Sequence, residues 1–378
     1  MNIQIESDVR LFASGRSWIE EDAIRQLYAT ARLDGLRLAA GFPNLCVGKG
    51  GPTGAAYVTE SVVFPHLISQ DVGCGMALFQ LDLVRSDSKL DRWVKIPFDL
   101  EHPWIDDITE VLAECDLPST EFDDVLGTLG GGAHFAELQS AEEVLNAREF
   151  RKLGLGKQQL VVLVHSGSRG LGESTQHAYL AERQATACES ESFHAAAYLR
   201  GHDLAVTWAK VNRELLAARF AQALGAEVDR LWDGCHNSIT RQVNDDGIAW
   251  VHRKGAVVAE GDAVVIAGSR GSLSYLVKPS GDGTGRAWSL ANGAGRTWAR
   301  SEARLRVRER FAREQLLQTS LGSIVVCGKR DLLYEEAPTA YKNIEAVIED
   351  LVEAGVVTVI ATFRPLLTYK TRARDYTG

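Results

Sequence analysis

Several apolar runs in this chain stop abruptly at glycine-rich loops that carry polar side chains. LVVLV (160–164) ends at His165 and continues into SGSRGLG, and AVVIAGSRG (263–271) has the same form. A short run that is apolar throughout is typical of a strand buried on both faces. SIVVCG (323–328) and VVTVIATF (356–363) predict further buried strands. Because buried strands are rigid, the polar loops at their ends are suited to hold a functional site.

Two amphipathic helices accompany these strands. The spacing of apolar residues predicts one helix over residues 203–224, ended by Gly225, and another over 343–354, ended by Gly355. Buried strands mixed with such helices predict an α+β fold, with α/β as the alternative. The chain has 378 residues without a repeat, a low-complexity segment or a Ser/Gly-rich linker, so we expect one continuous domain, 1–378.

Composition narrows the class of protein. No run of 18 apolar residues occurs, and the first residues, MNIQIESDVR, lack the basic start and apolar core of a signal peptide. A cytoplasmic protein without a membrane partner is therefore expected. The six cysteines have no framework spacing and should be reduced. Cys74, inside DVGCGM, is the one that we separate from the others.

The net charge of −9 argues against a protein that coats nucleic acid through bulk charge. It leaves room for a local basic groove, because residues 296–313 hold seven arginines and the tail RPLLTYKTRAR adds more. Two interpretations stay open. The segment is a solvated helix whose arginines pair with Glu302, Glu309 and Glu314, or it is a surface for a phosphate backbone.

Five polar stretches share the strand-to-glycine-loop form: QDVGCGM (70–76), LGGGAHFAEL (129–138), VHSGSRGLG (164–172), CHNS (235–238) and SLANGAGR (289–296). They offer the potential ligands Asp71, Cys74, His134, His165 and His236. Carboxylate, thiolate and imidazole are the usual ligands of divalent transition metals. A lone histidine is more often structural, but three in this setting together with a D-x-x-C turn favour a metal centre.

The loops GSRGLG, AGSRGS and NGAGR suit oxyanions, because successive N–H groups in glycine turns form concave anion sites. Arg169 or Arg296 could add a bidentate guanidinium. No P-loop is present in these loops, and no G-x-G-x-x-G follows a strand convincingly. The residues alone therefore indicate a metal-dependent enzyme that acts on a phosphate compound.

Taken in order, DVGCGM, GGGAHFAEL, HSGSRGLG, HN, VHRKGA, IAGSRGSLSY and NGAGR resemble the RtcB family of RNA ligases, from about residue 40 to the end. The resemblance implies a single RtcB-like domain with buried mixed sheets, surrounding helices and a central cleft. It implies GTP and two Mn²⁺ ions as cofactors. It also implies joining of a 2′,3′-cyclic phosphate or 3′-phosphate RNA end to a 5′-hydroxyl end, through a histidine that takes GMP from GTP and passes it to the RNA.

The resemblance also implies roles for residues. The metal ligands would be Asp71, Cys74, His134, His165 and His236, with the cysteine serving both ions. Guanine would be held by Phe135 and Glu137. The nucleotide would be contacted by Asn237, Ser269, Ser274, Tyr341 and Lys370, together with the loop residues Gly293, Ala294, Gly295 and Arg296. The basic positions near the RNA phosphates would be Arg169 and Lys254.

Two positions depart from the family pattern. Asn292 stands where the family has its guanylylated histidine, and an amide nitrogen is a poor nucleophile because its lone pair is delocalised into the carbonyl. Ala133 replaces an asparagine that contacts phosphate, a loss of roughly 1–3 kcal/mol. Three explanations of Asn292 stay open: an engineered change that traps an inactive complex, a natural member that binds without ligating, or another nucleophile.

The shorter chain, the GKGGPTGAA segment and the tail resemble the subgroup coupled to the release-factor-H gene, which implies repair of cleaved RNA, including ribosomal RNA. Two rival functions are considered beside the ligase. One is a non-catalytic protein that binds RNA ends and GTP. The other is an unrelated metallohydrolase that opens cyclic phosphates without GTP.

Overall fold

The computed structural model describes residues 7–104, 108–183, 187–244 and 247–372. Within these ranges, helices surround sheets that contain both parallel and antiparallel pairs, so the predicted α+β fold with mixed sheets is confirmed. A single domain over 1–378 stays a prediction. The end of the arginine-containing tail, from residue 373, lies outside the described residues. No helix in these ranges is long and apolar enough to cross a membrane.

The helices in the described ranges are α1 Glu21–Thr30, α2 Leu90–Trp93, α3 Ile108–Glu114, α4 Ala147–Lys152, α5 Leu171–Arg183, α6 Phe193–Leu224, α7 Arg300–Arg310, α8 Arg330–Glu335 and α9 Ile344–Glu353. The strands of the first half are β1 Asp8–Leu11, β2 Leu36–Cys46, β3 Thr53–Thr59, β4 Val62–Val63, β5 Gly75–Val84, β6 Phe135–Val144, β7 Gln159–Ser166 and β8 Cys188–Glu189. Those of the second half are β9 Val228–Cys235, β10 Asn237–Asn244, β11 Gly247–Lys254, β12 Ala256–Val258, β13 Val264–Ile266, β14 Ser274–Pro279, β15 Ser289–Ala291, β16 Ile324–Cys327 and β17 Val357–Thr371.

The larger of two main sheets has the strand order β13-β14-β17-β6-β7-β5-β9, with β16 paired in parallel to β17. The other has the order β1-β2-β3-β11-β10. Two short pairs, β12-β15 and β4-β8, complete the described sheet structure.

Strand β7 explains why LVVLV is apolar throughout. Both of its edges are hydrogen-bonded, to β6 and β5, and hydrophobic clusters cover both of its faces. Leu160, Val162 and Val164 pack into one hydrophobic cluster, while Val161 and Leu163 pack into another. The strand therefore separates two cores, as the sequence predicted, and delivers His165 at its buried end.

Helix α6 begins ten residues before its predicted start, so that boundary was wrong. Ser192 caps it by accepting a hydrogen bond from the N–H of Ala195, and Gly225 ends it with a φ of 73°. The first turns bury Ala195 and Tyr198 against the same cluster as the later stripe. Tertiary packing therefore extends the helix through the glycine at 201, which lowers intrinsic helix propensity.

Strand β17 continues eight residues beyond the predicted VVTVIATF strand. Pro365 has no N–H to donate, yet the strand passes through it because the pairing with β6 shifts register next to it. The other predicted elements are confirmed, with α9 capped by Asn343 and β13 and β16 inside their predicted segments.

Candidate active site

Four neighbouring strands of the large sheet, in the order β6-β7-β5-β9, end at the same place. Gly75 of β5 lies opposite Ser166 of β7 and opposite Cys235 of β9, which aligns these ends. The side chains carried there are the five predicted ligands, Asp71, Cys74, His134, His165 and His236. The sheet thus gathers groups that are far apart in the sequence.

The five side chains form two overlapping groups that share one sulfur. Sγ of Cys74 lies 3.3 Å from Nε2 of His165 and 3.4 Å from Nε2 of His134. One group contains Cys74, His165 and His236, and the other contains Asp71, Cys74 and His134, with all ligand atoms of a group within 4.8 Å of one another. Nε2 of His134 is 3.2 Å from a carboxylate oxygen of Asp71. A shared thiolate between two groups suits a pair of ions.

Burial keeps the imidazoles of His165 and His236 in the neutral form that ligates metals. It lowers the pKa of His165 well below its usual value, and it lowers that of His236 to about 3 with help from the charge of Arg213. Burial and the Asp71 carboxylate raise the pKa of the Cys74 thiol well above its usual value. A divalent ion would have to displace the thiol proton on binding.

The orientation of the histidines fits a metal. Nδ1–H of His134 donates to the carbonyl of Leu129 at 3.0 Å, which leaves Nε2 as a lone-pair donor toward Cys74 and Asp71. Nδ1 of His236 is buried and has no hydrogen-bond partner among the described residues. Such a buried, unpartnered nitrogen is costly unless something binds it. The donor set therefore fits a divalent transition metal.

A cavity of about 1060 Å³ opens beside this cluster. It is bordered by the predicted site residues Phe135, Glu137, His165, His236, Asn237, Lys254, Ser269, Asn292, Gly293, Ala294, Gly295, Arg296, Tyr341 and Lys370, and by Ala133. Ser274 does not border it. Its hydroxyl accepts from the amide of Gln139, which also donates to Glu137, so Ser274 lies behind the cavity wall.

Glu137 is a buried carboxyl in the cavity wall. The amide of Gln139 donates to one oxygen at 2.7 Å, and the hydroxyl of Thr368 donates to the other. Burial raises the pKa of Glu137 to about 7, against the opposing effect of these hydrogen bonds and of Lys370. The ring of Phe135 packs edge-on against His165, with 5.6 Å between ring centroids. The flat ring of Phe135 and the hydrogen-bond-accepting carboxyl of Glu137 thus border the same cavity.

Asn292 is held by a second asparagine. The amide nitrogen of Asn44 donates to Oδ1 of Asn292 at 2.9 Å and to the carbonyl of Gly255 at 2.8 Å. The contact with Gly255 fixes Asn44 as the donor, because a flipped amide would set two oxygens against each other. Asn292 therefore accepts with its oxygen and has its own amino group left to donate.

Of the two basic residues predicted near the RNA phosphates, Lys254 borders the cavity of about 1060 Å³ and Arg169 does not. Arg169 has a left-handed backbone (φ 56°) and donates from Nε to Thr128. Its guanidinium lies directly over Gly130, so a side chain at that position would displace it. Lys254 donates to the carbonyls of Lys49 and Gly51, and burial lowers its pKa to about 8.

Arg296 is engaged within the protein. It donates to Glu336 at 3.1 Å, to the backbone carbonyls of Trp298 and Glu335, and lies over the ring of Tyr341 at 5.0 Å. A bidentate contact of this guanidinium with phosphate would therefore require some of these bonds to break, and that role stays a prediction.

Comparison with known proteins identifies the family. The model described as tRNA-splicing ligase RtcB matches residues 115–371. An RNA-splicing ligase RtcB2 of Escherichia coli is 40% identical over 362 residues, covering 95% of this chain and 94% of the relative. The chain belongs to the RtcB family. A tRNA-splicing ligase RtcB of Methanococcus maripaludis is 25% identical over 92% of this chain and 91% of its own length. An RNA-splicing ligase RtcB of Mycobacterium tuberculosis is 32% identical over 64% of this chain and 63% of its own length.

Besides Asn44, sequence reasoning missed three further residues of this RtcB site. Arg213 is fully buried, pairs with Asp233 at 2.7 and 2.8 Å, and donates to the carbonyls of Gly73 and Ser166 beside the ligands. Asn212, its neighbour in α6, accepts from the N–H of Gly127 and donates to Ser166. The only signal in the sequence is that two polar residues follow Val211, one of the apolar residues of the helix. The spacing of a helix does not show whether such a polar pair is buried or exposed.

The third is Glu336, a buried carboxylate beside the RtcB cavity. Cations from three positions approach it: Arg296 at 3.1 Å, Arg300 at 3.6 Å and Lys370 at 3.7 Å. Burial alone would raise its pKa, but these charges and the Tyr341 hydroxyl lower it. It therefore stays ionised and orders the basic side of the cavity. No motif in the sequence marks it.

Proposed function

We propose that this chain is an RNA ligase that depends on GTP and two Mn²⁺ ions. Its substrates would be RNA with a 2′,3′-cyclic phosphate or 3′-phosphate end and RNA with a 5′-hydroxyl end. The observation that carries the proposal is the sharing of Cys74 by two ligand groups at the edge of a nucleotide-sized cavity. Membership of the RtcB family and the RNA-splicing ligase names of its relatives support the reaction class. RNA repair in the cytoplasm, with a functional link to release factor H, is part of the same proposal.

Each side of the cavity has a proposed task. Asp71, Cys74 and the three histidines would hold the ions, whose charge stabilises negative charge on phosphate oxygens. Glu137 would accept from the N–H edge of guanine while Phe135 stacks on the ring. Lys370 and Lys254 would face phosphates, as their place in the cavity wall allows.

Asn292 would block the first covalent step. Its amide nitrogen has no free lone pair, so it cannot form a bond to the α-phosphorus of GTP. Because Asn44 occupies its oxygen, the amino group of Asn292 is available to donate a hydrogen bond to a phosphate. The proposed state is a ligase site that binds its nucleotide and does not become guanylylated at position 292.

One observation favours a second candidate, a non-catalytic RNA-end- and GTP-binding member of the family. An imidazole at position 292 would receive a hydrogen bond from the Asn44 amide on one nitrogen and would keep its proton on the other. That tautomer is a poor nucleophile at the outward nitrogen. The Asn44–Asn292 pair thus suits a site that binds its ligand through amide groups. Replacing Asn292 alone by histidine would not restore a good nucleophile, because Asn44 would still donate to the imidazole.

Covalent labelling by α-labelled GTP with Mn²⁺ tests the proposal. We expect no label on the unchanged chain, weak label on Asn292→His and at least tenfold more on the double variant Asn292→His/Asn44→Asp. In the double variant, a carboxylate at position 44 would give up the hydrogen bond to the Gly255 carbonyl but accept one from the imidazole N–H, which leaves the lone pair on the outward nitrogen. Asn44→Asp alone is the control and should stay unlabelled.

The other outcomes separate the candidates. Label on the unchanged chain would reveal another nucleophile and contradict the block at Asn292. If GTP binds to all four proteins but none is labelled, the non-catalytic candidate is favoured. If none binds GTP at all, the ligase proposal fails together with that candidate.

A further inference from the structure

The seven arginines between residues 296 and 313 fall into two groups. Those nearer the main cavity, the 1060 Å³ space of the candidate site, have carboxylate partners within 4.0 Å: Arg296, Arg300, Arg304 and Arg306. In the described part of the chain, Arg308, Arg310 and Arg313 make no such ion pair. Of the predicted partners Glu302, Glu309 and Glu314, only Glu302 pairs, with Arg306, in the described chain, while the other three arginines pair with Glu336, Asp331 and Glu335. The interpretation as a solvated, ion-paired helix is therefore confirmed only in part, and it does not hold for the second group.

The second group surrounds a cavity of its own. Residues 308–314, at the end of α7 and just after it, border a space of about 820 Å³ together with Gly328, Arg330 and Tyr334. Four guanidinium groups line this arginine cavity against two carboxylates, Glu309 and Glu314. Its lining is therefore net positive on a chain of net charge −9.

Helix stability explains part of this arrangement. Arg308 and Arg310 lie in the last turn of α7, where positive charges interact favourably with the helix dipole. Arg313 lies beyond the helix end, and its Nε is buried with no hydrogen-bond partner in the described chain. A buried guanidinium N–H without an acceptor is unfavourable. Neither the helix dipole nor an ion pair of the described chain therefore explains why Arg313 borders the arginine cavity.

Helix α7 borders the main cavity with its earlier residues and the arginine cavity with its last ones. Arg300 and Arg306 border the main cavity, while Arg308 and Arg310 border the arginine cavity. Eleven residues of helix span about 15 Å. A bound strand that leaves the main cavity along α7 would therefore meet a second set of cations within a few nucleotides.

We infer that the arginine cavity binds the phosphate backbone of the RNA strand whose end occupies the main cavity. This inference rests on the proposed function. The guanidinium fork matches a phosphate bidentately, and an RNA backbone offers phosphates at regular intervals. Contacts to phosphates carry no information about the bases, so binding through them is independent of sequence. On an acidic protein, this local surface supplies much of the attraction for RNA.

Binding of labelled oligonucleotides with a 3′-phosphate, measured over a range of salt concentrations, tests the inference. The variant Arg308→Gln/Arg310→Gln/Arg313→Gln should bind a ten-nucleotide RNA at least tenfold more weakly than the unchanged chain. Its plot of log affinity against log salt should be shallower by about 2, since each single-strand phosphate contact contributes about 0.7. A dinucleotide, which cannot reach the arginine cavity, should bind both proteins equally.

Two further proteins control for charge and folding. Arg32→Gln/Arg148→Gln/Arg241→Gln removes three exposed arginines that border neither cavity, and it should leave the affinity and the salt slope unchanged. Arg308→Lys/Arg310→Lys/Arg313→Lys keeps the charge, so it should retain most of the salt slope while losing the bidentate contacts. Thermal melts of all variants should agree within a few degrees.

Failure of the inference is distinguishable from failure of the proposed function. If the ten-nucleotide RNA binds the first variant as tightly as it binds the unchanged chain, with the same slope, the arginine cavity does not bind RNA and the ligase proposal stands. An equal loss in the control triple variant would overturn the inference too, since bulk charge would then explain the binding. If the unchanged chain binds no RNA of any length, the proposed function itself fails.

Discussion

Burial shifts the carboxyl of Glu137 and the imidazoles of His165 and His236 toward the same, neutral state. It raises the pKa of the acid to about 7 and lowers those of the two histidines. The consequence for function differs between them. A neutral imidazole is ready to ligate a metal, whereas the carboxyl must lose its proton before it can accept hydrogen bonds from guanine with both oxygens.

We predict that the affinity for GTP rises when the pH is raised from 6 to 8. With a pKa of about 7, Glu137 is mostly protonated at the lower pH and mostly ionised at the higher one. Equilibrium binding of labelled GTP at each pH should show a gain of about tenfold. In Glu137→Gln this gain should disappear. An affinity that is flat or falls over this range in the unchanged chain would count against Glu137 as the guanine acceptor.

The same carboxyl affects stability with the opposite sign. Its pKa is higher in the folded chain than in an unfolded one, so its ionisation opposes folding. Its contribution to the free energy of unfolding is present below about pH 4.5 and is lost as the pH rises through about 7. Conditions that favour guanine binding are therefore those in which this residue stabilises the fold least.

At the scale of elements, α6 connects the core to the site. Its apolar stripe packs on two hydrophobic clusters, while Asn212 and Arg213 extend between the strand ends that carry the ligands. The carboxylate of Asp233 in β9 neutralises Arg213. This helix thereby fixes the positions of the loops around Gly73 and Ser166.

We predict that Arg213→Met lowers the free energy of unfolding by roughly 3–5 kcal/mol, because Asp233 is then left as a largely buried, unpaired charge. Urea unfolding followed by circular dichroism measures this. Arg200→Met removes an exposed arginine of the same helix and should change stability by less than about 0.5 kcal/mol. Equal effects of the two substitutions would show that the Arg213–Asp233 pair contributes nothing beyond an ordinary surface charge.

Strands and helices were predictable to different degrees. The buried strand at LVVLV was recognisable because both of its faces are covered, so every residue is apolar. The end of α6 was marked by Gly225, but its beginning was not. Glycine at 201 and a mixed composition hid the turns before residue 203, and only their packing against Val63 and Trp208 in one cluster makes them helical. β17 was underestimated because Pro365 is ordinarily a strand breaker.

At the scale of the whole molecule, the site exists because four strands end together. Hydrophobic clusters on both faces of the large sheet pack against these strands, away from the ligand groups. Metal binding should therefore add to the stability of a chain that is already folded, unlike the small domains that unfold without their ion.

We predict that chelation lowers the Tm by about 7 °C relative to Mn²⁺ at a hundredfold excess over the Kd of both sites. Each of the two bound ions then stabilises the folded chain by about 2.7 kcal/mol, and 1 kcal/mol shifts the Tm of a chain of this size by about 1.3 °C. Cys74→Ser should lose this shift and most of the bound metal, because its sulfur belongs to both ligand groups. His134→Ala and His236→Ala should each lose about one ion of two. Thermal melts and elemental analysis of dialysed protein provide the measurements.

Cys115→Ser is the matched control, as a free cysteine outside the site, and should keep the full metal content. Unchanged metal content in both Cys74→Ser and His236→Ala would sink the metal assignment. Loss of both ions in His134→Ala would show that the two ligand groups do not bind independently.

The sequence by itself determined the chemistry available to this protein. Apolar runs ending in glycine loops predicted where rigid, reachable side chains would lie, and the ordered motifs identified the family, since both are properties of neighbouring residues. Only the tertiary structure decided which groups meet. The sharing of Cys74, the burial of Arg213 and the contact of Asn44 with Asn292 join residues that are up to 248 positions apart. Strand register and the desolvation that sets each pKa depend on the whole packed chain, so no local pattern encodes them.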